Sequence, residues 1–500
     1  MRYLFCIIAF TLCCTGSISA QISLSLEQCR TMALENNKSI GIAKEHIVQA
    51  QAQKKGARSA YLPKLDATAA YLYSNQNISL LSDDKFAPVG SIMSDGSFGF
   101  DASQVNNGWT LINGQPVPLD ANGQPFDPKQ NPEKIQWKGY AYLPKDEFKM
   151  DMTHTVIGMI GLTQPIYMGG KVRAYNQLAG FAEKLAQAQL TNEQAEVLYS
   201  TEEAYWQILS LMQKEKIAEE YKTLLTKLSN NLDALHEEGM ATKNDVLKVK
   251  VRLNEVDMSL TKVTNGLRLS KMSLCQLIGI PLDSDIALDE STTPDNQIPP
   301  AAADSTDIWM NRPELQSLKY LSNIADSKIR VARAESLPSL ALTAGYMISN
   351  PNPYNGFTHE FGGNFTVGVM LKVPIFHWGE KRQTIRTAQS ERNIAELKYQ
   401  DAAEKINLQY TQAKLRIDEA NKRVTSAQKN LEQAEENLQF ATYGYEEGVV
   451  PVTGVLEAQT SWFTAYSELT DAQIESRLCQ VYLSKASGQL AARVNQADNN

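Results

Sequence analysis

Four stretches of this chain alternate apolar with other residues at a period of two. From Phe365 the odd positions read Phe365, Val367, Val369, Leu371, Val373 and Ile375, with Thr366, Gly368, Met370 and Lys372 between them. The others run Val156, Gly158, Ile160, Leu162; Leu65, Ala67, Ala69, Tyr71, Tyr73; and Leu340, Leu342, Ala344, Tyr346, Ile348. The pattern predicts strands over 65–74, 154–166, 339–349 and 364–376. Each is about 10 residues long, the length a tilted strand needs to cross a bilayer, and Tyr71, Tyr73 and Tyr346 suit an interfacial aromatic girdle. An ordinary half-buried sheet alternates in the same way, but the pattern predicts no further β segments to complete a sandwich. Four strands cannot close a barrel, and an open edge in lipid leaves backbone groups unpaired. Strands of this kind in a membrane therefore require several copies to pool them: eight from two chains, twelve from three.

Most of the remaining chain has a helical period. Tyr399, Ala403, Ile406, Tyr410, Ala413, Ile417, Ala420, Val424, Ala427, Leu431, Ala434, Leu438 and Ala441 recur at steps of four and three, the seam of a coiled coil. Alanine at every second seam position from Ala413 onward allows close helix approach. A run through Leu178, Phe181, Leu185, Ala188, Leu198, Tyr205 and Met212 is less regular. No proline interrupts Gly170 to Glu237 or Gly379 to Glu446, so each predicts one helix of roughly 100 Å. Both end at Glu-Glu-Gly, a helix stop at Gly239 and Gly448. Thr242 or Asn244 can cap the return helix after Gly239, and Pro451 stands at the first turn of the helix after Gly448.

These elements occur twice. Pro165-Ile166-Tyr167 recurs as Pro374-Ile375-Phe376, Gly170 as Gly379, Gly239 as Gly448, Val246-Leu247 as Val455-Leu456 and Gly279 as Gly488, all 209 apart (374 − 165 = 488 − 279 = 209). Upstream, Arg58, Leu62-Pro63 and Leu65 match Arg333, Leu337-Pro338 and Leu340 at an offset of 275 (338 − 63 = 275). The difference, 275 − 209 = 66, is an insertion between Tyr73 and His154, rich in turn residues such as Asn113-Gly114 and Asp127-Pro128. Within it, Trp109-Thr-Leu-Ile112 and Gln115-Pro-Val flank Asn113-Gly114 as a hairpin. The constant 209 predicts a rigid ruler from strands to helical turn and back. The predicted organisation is a first repeat over 21–281, a linker over 282–304, a second repeat over 305–488 and a flexible tail over 489–500.

Residues 1–20 read as a cleaved secretory signal: Arg2, an apolar core from Tyr3 to Cys14, and Ile18-Ser19-Ala20 before Gln21. Neither Cys13 nor Cys14 follows the small residue expected before a lipidated cysteine. Cys29, Cys275 and Cys479 remain, an odd set in helical sequence that reads as small buried apolar residues. A net charge of −8 supplies no basic face for nucleic acid.

Strand pair, long helix, Glu-Gly turn and Val-Leu return, given twice, resembles the TolC-like outer-membrane efflux protein family. The resemblance runs from Leu24-Ser-Leu-Glu-Gln-Cys29 to Gly488 and is most specific at Tyr445-Glu-Glu-Gly448 and Val455-Leu-Glu-Ala458. It implies an α+β fold in which a long α-helical coiled-coil barrel continues a shared transmembrane β-barrel, twelve strands in a homotrimer set in outer-membrane lipid. It also implies a periplasmic adaptor and an inner-membrane pump of RND, ABC or MFS type. The strand-to-helix junctions would lie at Pro165, Gly170, Pro374 and Gly379. The tip turns and adaptor contacts would be Gly239, Gly448, Val246, Leu247, Val455 and Leu456. Polar side chains just after the tip glycine would line a periplasmic aperture at Asp245, Gly454 and Glu457. Gly454 departs from the family's usual aspartate, so one acidic ring is missing. An exposed helix-cap acid is the alternative reading of Asp245 and Glu457.

Catalytic and cofactor motifs are not found in the sequence. His236-Glu237 has Met240 where a zinc-protease helix needs histidine, and Gly169-Gly170-Lys171 lacks the glycine and hydroxyl of a phosphate loop, having Pro165 and Val172. The sequence leads to a passive exit duct with no catalysis. A periplasmic coiled-coil scaffold and a plugged outer-membrane structural or receptor protein are the competing readings.

Overall fold

A computed structural model describes residues 22–89, 102–289 and 312–497. In chain order these form strand β1 (Ile22–Leu24), helices α1 (Leu26–Asn36) and α2 (Lys38–Ser59), and strand β2 (Lys64–Tyr73). Six short strands follow: β3 (Ile78–Ser79), β4 (Lys85–Val89), β5 (Trp109–Ile112), β6 (Gln115–Pro118), β7 (Gly139–Leu143) and β8 (Lys149–Met150). Strand β9 (His154–Tyr167), helices α3 (Lys171–Glu237) and α4 (Lys243–Ile278), and strand β10 (Ile286–Leu288) complete the first half. The second half comprises α5 (Pro313–Ala334), β11 (Ser339–Asn350), β12 (Gly362–Lys372), α6 (Glu380–Glu446), α7 (Val452–Ala486) and α8 (Gln489–Ala497). The expected signal segment over 1–20 and positions 290–304 of the expected linker lie outside the described residues.

The chain divides into two compact units. One comprises Met1–Ala60, Gly169–Leu337 and Pro374–Asn500; the other comprises Tyr61–Met168 and Pro338–Val373.

In the strand unit, β12, β11, β9 and β2 form an antiparallel sheet in that order. Its register aligns Ala67 with Ile160, Ile160 with Tyr346, and Tyr346 with Phe365. Opposed residues share a face, so all four alternating runs fall on one side of the sheet. The other side carries a row of Lys64, Thr163, Thr343 and Gly368. Leu65, Tyr71, Ile160, Phe365, Val367, Val369 and Leu371 on the apolar side are at least half exposed in the single chain. A soluble monomer rarely presents a contiguous apolar surface of this kind.

Strand β9 has a neighbour on each side and runs to Tyr167, with Ile166 bulged out between Pro165 opposite Ala341 and Tyr167 opposite Leu340. The sequence predicts the equivalent strand to reach 376, but β12 ends at Lys372. Its partner β11 begins at Ser339, opposite Lys372, so no backbone remains to pair with, and Pro374 has no amide hydrogen. The insertion extends β2 and β9 through the pairs β3·β8 and β4·β7 and carries β5·β6 within. The expected hairpin at Asn113-Gly114 is present, both residues at positive φ (51° and 80°), as a primed two-residue turn requires. The other short strands, including the parallel pair β1·β10, are β segments that the period did not predict. Two to five residues are too few to display one.

In the helical unit, α3 and α6 are each 67 residues long. Along α6 the alanine-rich seam is buried at Ile406, Ala413, Ala420, Ala427 and Leu431, facing α7 and α5. Helix α3 packs against α2, α4, α5 and α7, so it buries residues around more of its circumference, Tyr205, Ile208, Ile217 and Leu225 among them. A helix with several partners has no single seam, which explains its irregular period. Leu24, Cys29, Ile40, Tyr205, Ile208, Leu274, Cys275 and Ile286 share one core. Burial, and then the neighbouring Cys275, pushes the Cys29 thiol up to about 11, so it behaves as an apolar group. Beside this core, Arg30 Nε donates to Glu202 Oε1 at 2.8 Å and ties α1 to α3. The expected flexible tail is instead helical over Gln489–Ala497. Leu490 is fully buried next to Ala195 and Tyr199 of α3, which anchors it.

Candidate functional site

Both long helices end in the same motif. Gly239 takes a left-handed conformation (φ 79°), its amide donates to His236 O at 3.0 Å, and the Met240 amide donates to Leu235 O at 2.8 Å. At the second tip Gly448 (φ 73°) donates to Tyr445 O at 3.0 Å and Val449 to Gly444 O at 2.8 Å. These paired bonds satisfy carbonyls that the helix end leaves open, and glycine enters that conformation without the steric cost a Cβ would bring.

The return helices start differently. Thr242 caps α4: its Oγ1 accepts the Asp245 amide at 3.2 Å and its hydroxyl donates to Asp245 Oδ2 at 2.6 Å. That hydroxyl first, with Lys248 Nζ 3.5 Å from Oδ1, holds the Asp245 carboxyl below the usual carboxylate range. Helix α7 is capped by Pro451, which has neither side-chain hydroxyl nor amide hydrogen, so no such clasp exists there. Gly454 occupies the position of Asp245.

The space near Gly454 belongs to Val450. A Cβ on Gly454 would lie 2.8 Å from Val450 Cγ1, and one on Gly444 would lie 2.6 Å from Val450 Cγ2. The first tip has Leu235, Ala241 and Asp245 where the second has Gly444, Val450 and Gly454 (each 209 apart). A larger residue in the turn is accommodated by two smaller ones beside it. The missing acidic residue is thus part of a steric exchange. Nearby, burial and then the Asp245 charge raise the Tyr445 phenol. The phenol oxygen is buried with no hydrogen-bond partner among the described residues.

The two return helices flank an open groove of about 480 Å³ lined by Asn244, Lys248, Arg252, Glu255, Thr453 and Glu457, with Leu247, Val251 and Leu456. Of the expected aperture residues, Glu457 is exposed and lies in this groove; Asp245 is half-buried in its cap and Gly454 half-buried against Val450. Of the expected contact residues, Leu247 is exposed and Leu456 half-buried. Val246 and Val455 are instead core residues, buried with Tyr221, Leu225 and Leu431, and are not available to a partner. The family resemblance implies one contact role for the Val-Leu pair, but successive helical positions point about 100° apart, so valine and leucine cannot both face outward. Lys248, Arg252, Glu255 and Val450 were not singled out from the sequence. The repeat alignment carried a signal for one of them, since Lys248 stands opposite Glu457 (457 − 248 = 209).

At the junctions, Gly170 and Gly379 are left-handed residues (φ 81° and 83°) capping α3 and α6. Pro165 sits in β9 beside the bulge, whereas Pro374 follows the end of β12. Tyr71 and Tyr73 flank His154, with Tyr71 Oη 2.8 Å from His154 Nδ1. Tyr346 lies over Gly363, where an added Cβ would be 2.1 Å from its hydroxyl.

A family model for outer membrane efflux proteins matches residues 148–280 and 307–489. Similar curated proteins include the alkaline protease secretion protein AprF of Pseudomonas aeruginosa, 25% identical over 257 residues, 49% of this chain and 51% of that protein. The probable efflux pump outer membrane protein TtgC of Pseudomonas putida is 23% identical over 321 residues, 63% of this chain and 66% of that protein. The chain spans about half the length of the first relatives it matches. Similar solved structures include the CmeC outer membrane channel of Campylobacter jejuni, at a TM-score of 0.70 and 17% identity, covering 95% of this chain and 89% of that one. The outer membrane protein VceC of Vibrio cholerae gives 0.65 and 16%, covering 93% and 96%. At these identities the structures establish the fold, and the family model, matching more than half of the sequence, establishes that the chain belongs to the outer membrane efflux protein family.

Proposed function

We propose that three copies of this chain pool their strands into a twelve-stranded barrel in the outer membrane and act as the passive exit duct of a tripartite efflux or type I secretion system. A periplasmic adaptor engages the helical tips through exposed residues such as Leu247, and an inner-membrane pump of RND, ABC or MFS type supplies the energy. The supporting observation is the four-stranded sheet: every strand carries exposed apolar residues on the same face, and the outer edges of β2 and β12 have no partner among the described residues. A sheet with these two properties is stable in lipid only when closed by further strands. The relatives named for protease secretion and for efflux pumps agree with a duct whose cargo is selected upstream. Heat-modifiable trimers in the outer-membrane fraction are the expected result, together with loss of export when the gene is deleted. Release of a monomer by osmotic shock would overturn the reading.

A further inference from the structure

The repeat maps one strand pairing onto another, and the structure contains a check on that mapping. Adding 275 to β2 positions gives β11, and adding 209 to β9 positions gives β12. Under these offsets the observed pair Lys64–Thr163 becomes Ser339–Lys372 (64 + 275 = 339; 163 + 209 = 372), which is itself an observed pair. The correspondence therefore holds at the level of single residues across a pairing that occurs in both repeats.

One pairing has no counterpart among the described residues. Strand β9 pairs with β2 on one side and with β11 on the other. Among the described residues, its equivalent β12 pairs with β11 alone, and β2, the equivalent of β11, pairs with β9 alone. Carrying Gly345–Gly161 of the β11·β9 ladder across gives Ala70 and Met370 (345 − 275 = 70; 161 + 209 = 370). Resting on the proposed assembly, we infer that β12 pairs antiparallel with β2 of a second copy in the register that sums to 440, Ala70 opposite Met370.

Two observations outside the arithmetic agree. In this register Tyr71 meets Val369, Tyr73 meets Val367 and Ala69 meets Leu371, so the apolar faces of the two edge strands coincide. A slip of one residue would turn one of them over. On the other face Lys372 meets Thr68, one same-face step from Asp66 of opposite charge. The helical unit is incomplete in the same sense. Leu397, Leu408 and Leu415 of α6 are 63%, 59% and 65% exposed, whereas their counterparts on α3 include Ala188 at 6% and Trp206 at 8%. Among the described residues nothing covers these α6 leucines, so they form an apolar face that a second copy would bury.

The test is disulfide trapping in intact cells. Double-cysteine variants at 70/370 and 69/371 sample the inferred register, and 70/368 and 70/372 sample slips of two residues; single-cysteine variants are controls. Opposed residues lie about 4.5–5.5 Å apart between Cα atoms, inside the span a disulfide bridges, about 4.4–6.8 Å. Diagonal neighbours lie roughly 7–8 Å apart. The expected result is reducible dimers and trimers from at least one of 70/370 and 69/371, exceeding those from the slipped pairs several-fold. Stronger trapping at 70/368 or 70/372 would overturn the register and leave the pooled barrel standing. Absence of intermolecular bonds in every variant, with the protein inserted in the outer membrane, would overturn both.

Discussion

Val450 fills the space beside Gly454: its Cγ1 lies 2.8 Å from where a Cβ on that glycine would be. Gly454→Ala is therefore expected to destabilise the second tip by about 1–3 kcal/mol through overpacking. Val450→Ala should recover most of that loss in the double variant. Thermal unfolding of the four proteins in a double-mutant cycle measures the coupling. Simple additivity would show that the two side chains do not share this space.

Asp245 titrates against its cap. Its folded-state pKa lies below the unfolded value of about 3.9. Its stabilising contribution is therefore complete above that value and is lost as pH falls through it and on through the lower folded value. The stability gap between the native chain and Asp245→Asn should be constant near neutrality and close below about pH 4. Thr242→Ala should raise the Asp245 pKa and cost about 1 kcal/mol as a lost cap. A carboxyl resonance that titrates identically with and without the Thr242 hydroxyl would refute this account.

The tip glycines are held by conformation, since a Cβ on either Gly239 or Gly448 meets nothing within 4 Å. Valine at each is expected to cost roughly 1–2 kcal/mol from the left-handed backbone and to disturb the turn locally. In cells the double variant should insert into the outer membrane normally and lose export. Export at native rates would count against the tips as the coupling site.

Two adjacent glycines at the start of α3 separate backbone strain from crowding. Both have positive φ, but a Cβ on Gly169 would lie 2.7 Å from Ala334 O, whereas one on Gly170 meets nothing. Gly170→Ala should lower stability by about 1–2 kcal/mol, and Gly169→Ala by distinctly more, because backbone of α5 must move. Equal melting temperatures for the two variants would contradict the close packing of α3 on α5.

Glu457 is an exposed carboxylate in the groove between the return helices. Glu457→Gln is expected to lower the cation preference of single channels in a planar bilayer, as removal of a charged ring does. Unchanged reversal potentials under a salt gradient would make it a surface acid.

Pattern alone accounts for the four long strands, both 67-residue helices, the glycine stops and the insertion, because each rests on a local period or a local backbone demand. Periods of 2 and 3.6 report which side of an element faces an apolar phase, and that preference is written residue by residue. It overran at 373–376, where a strand needs a partner backbone and β11 no longer provides one. It also missed the helix at Gln489–Ala497, whose order comes from Leu490 entering a site built by α3.

The tips show the same division. The repeat located them, and the glycines and the Thr242 cap could be read from the chain. The absence of an aspartate at 454 was legible only as a departure. Its cause, the Val450 side chain held between Gly444 and Gly454, depends on where two methyl groups lie in three dimensions. Likewise the paired valines Val246 and Val455 share a motif with exposed Leu247 but point into the core. Local sequence determines which element forms and where it stops, because those depend on neighbours along the chain. Which face is covered, which space is filled and which edge is left open depend on contacts between distant residues, and only the tertiary structure decides them.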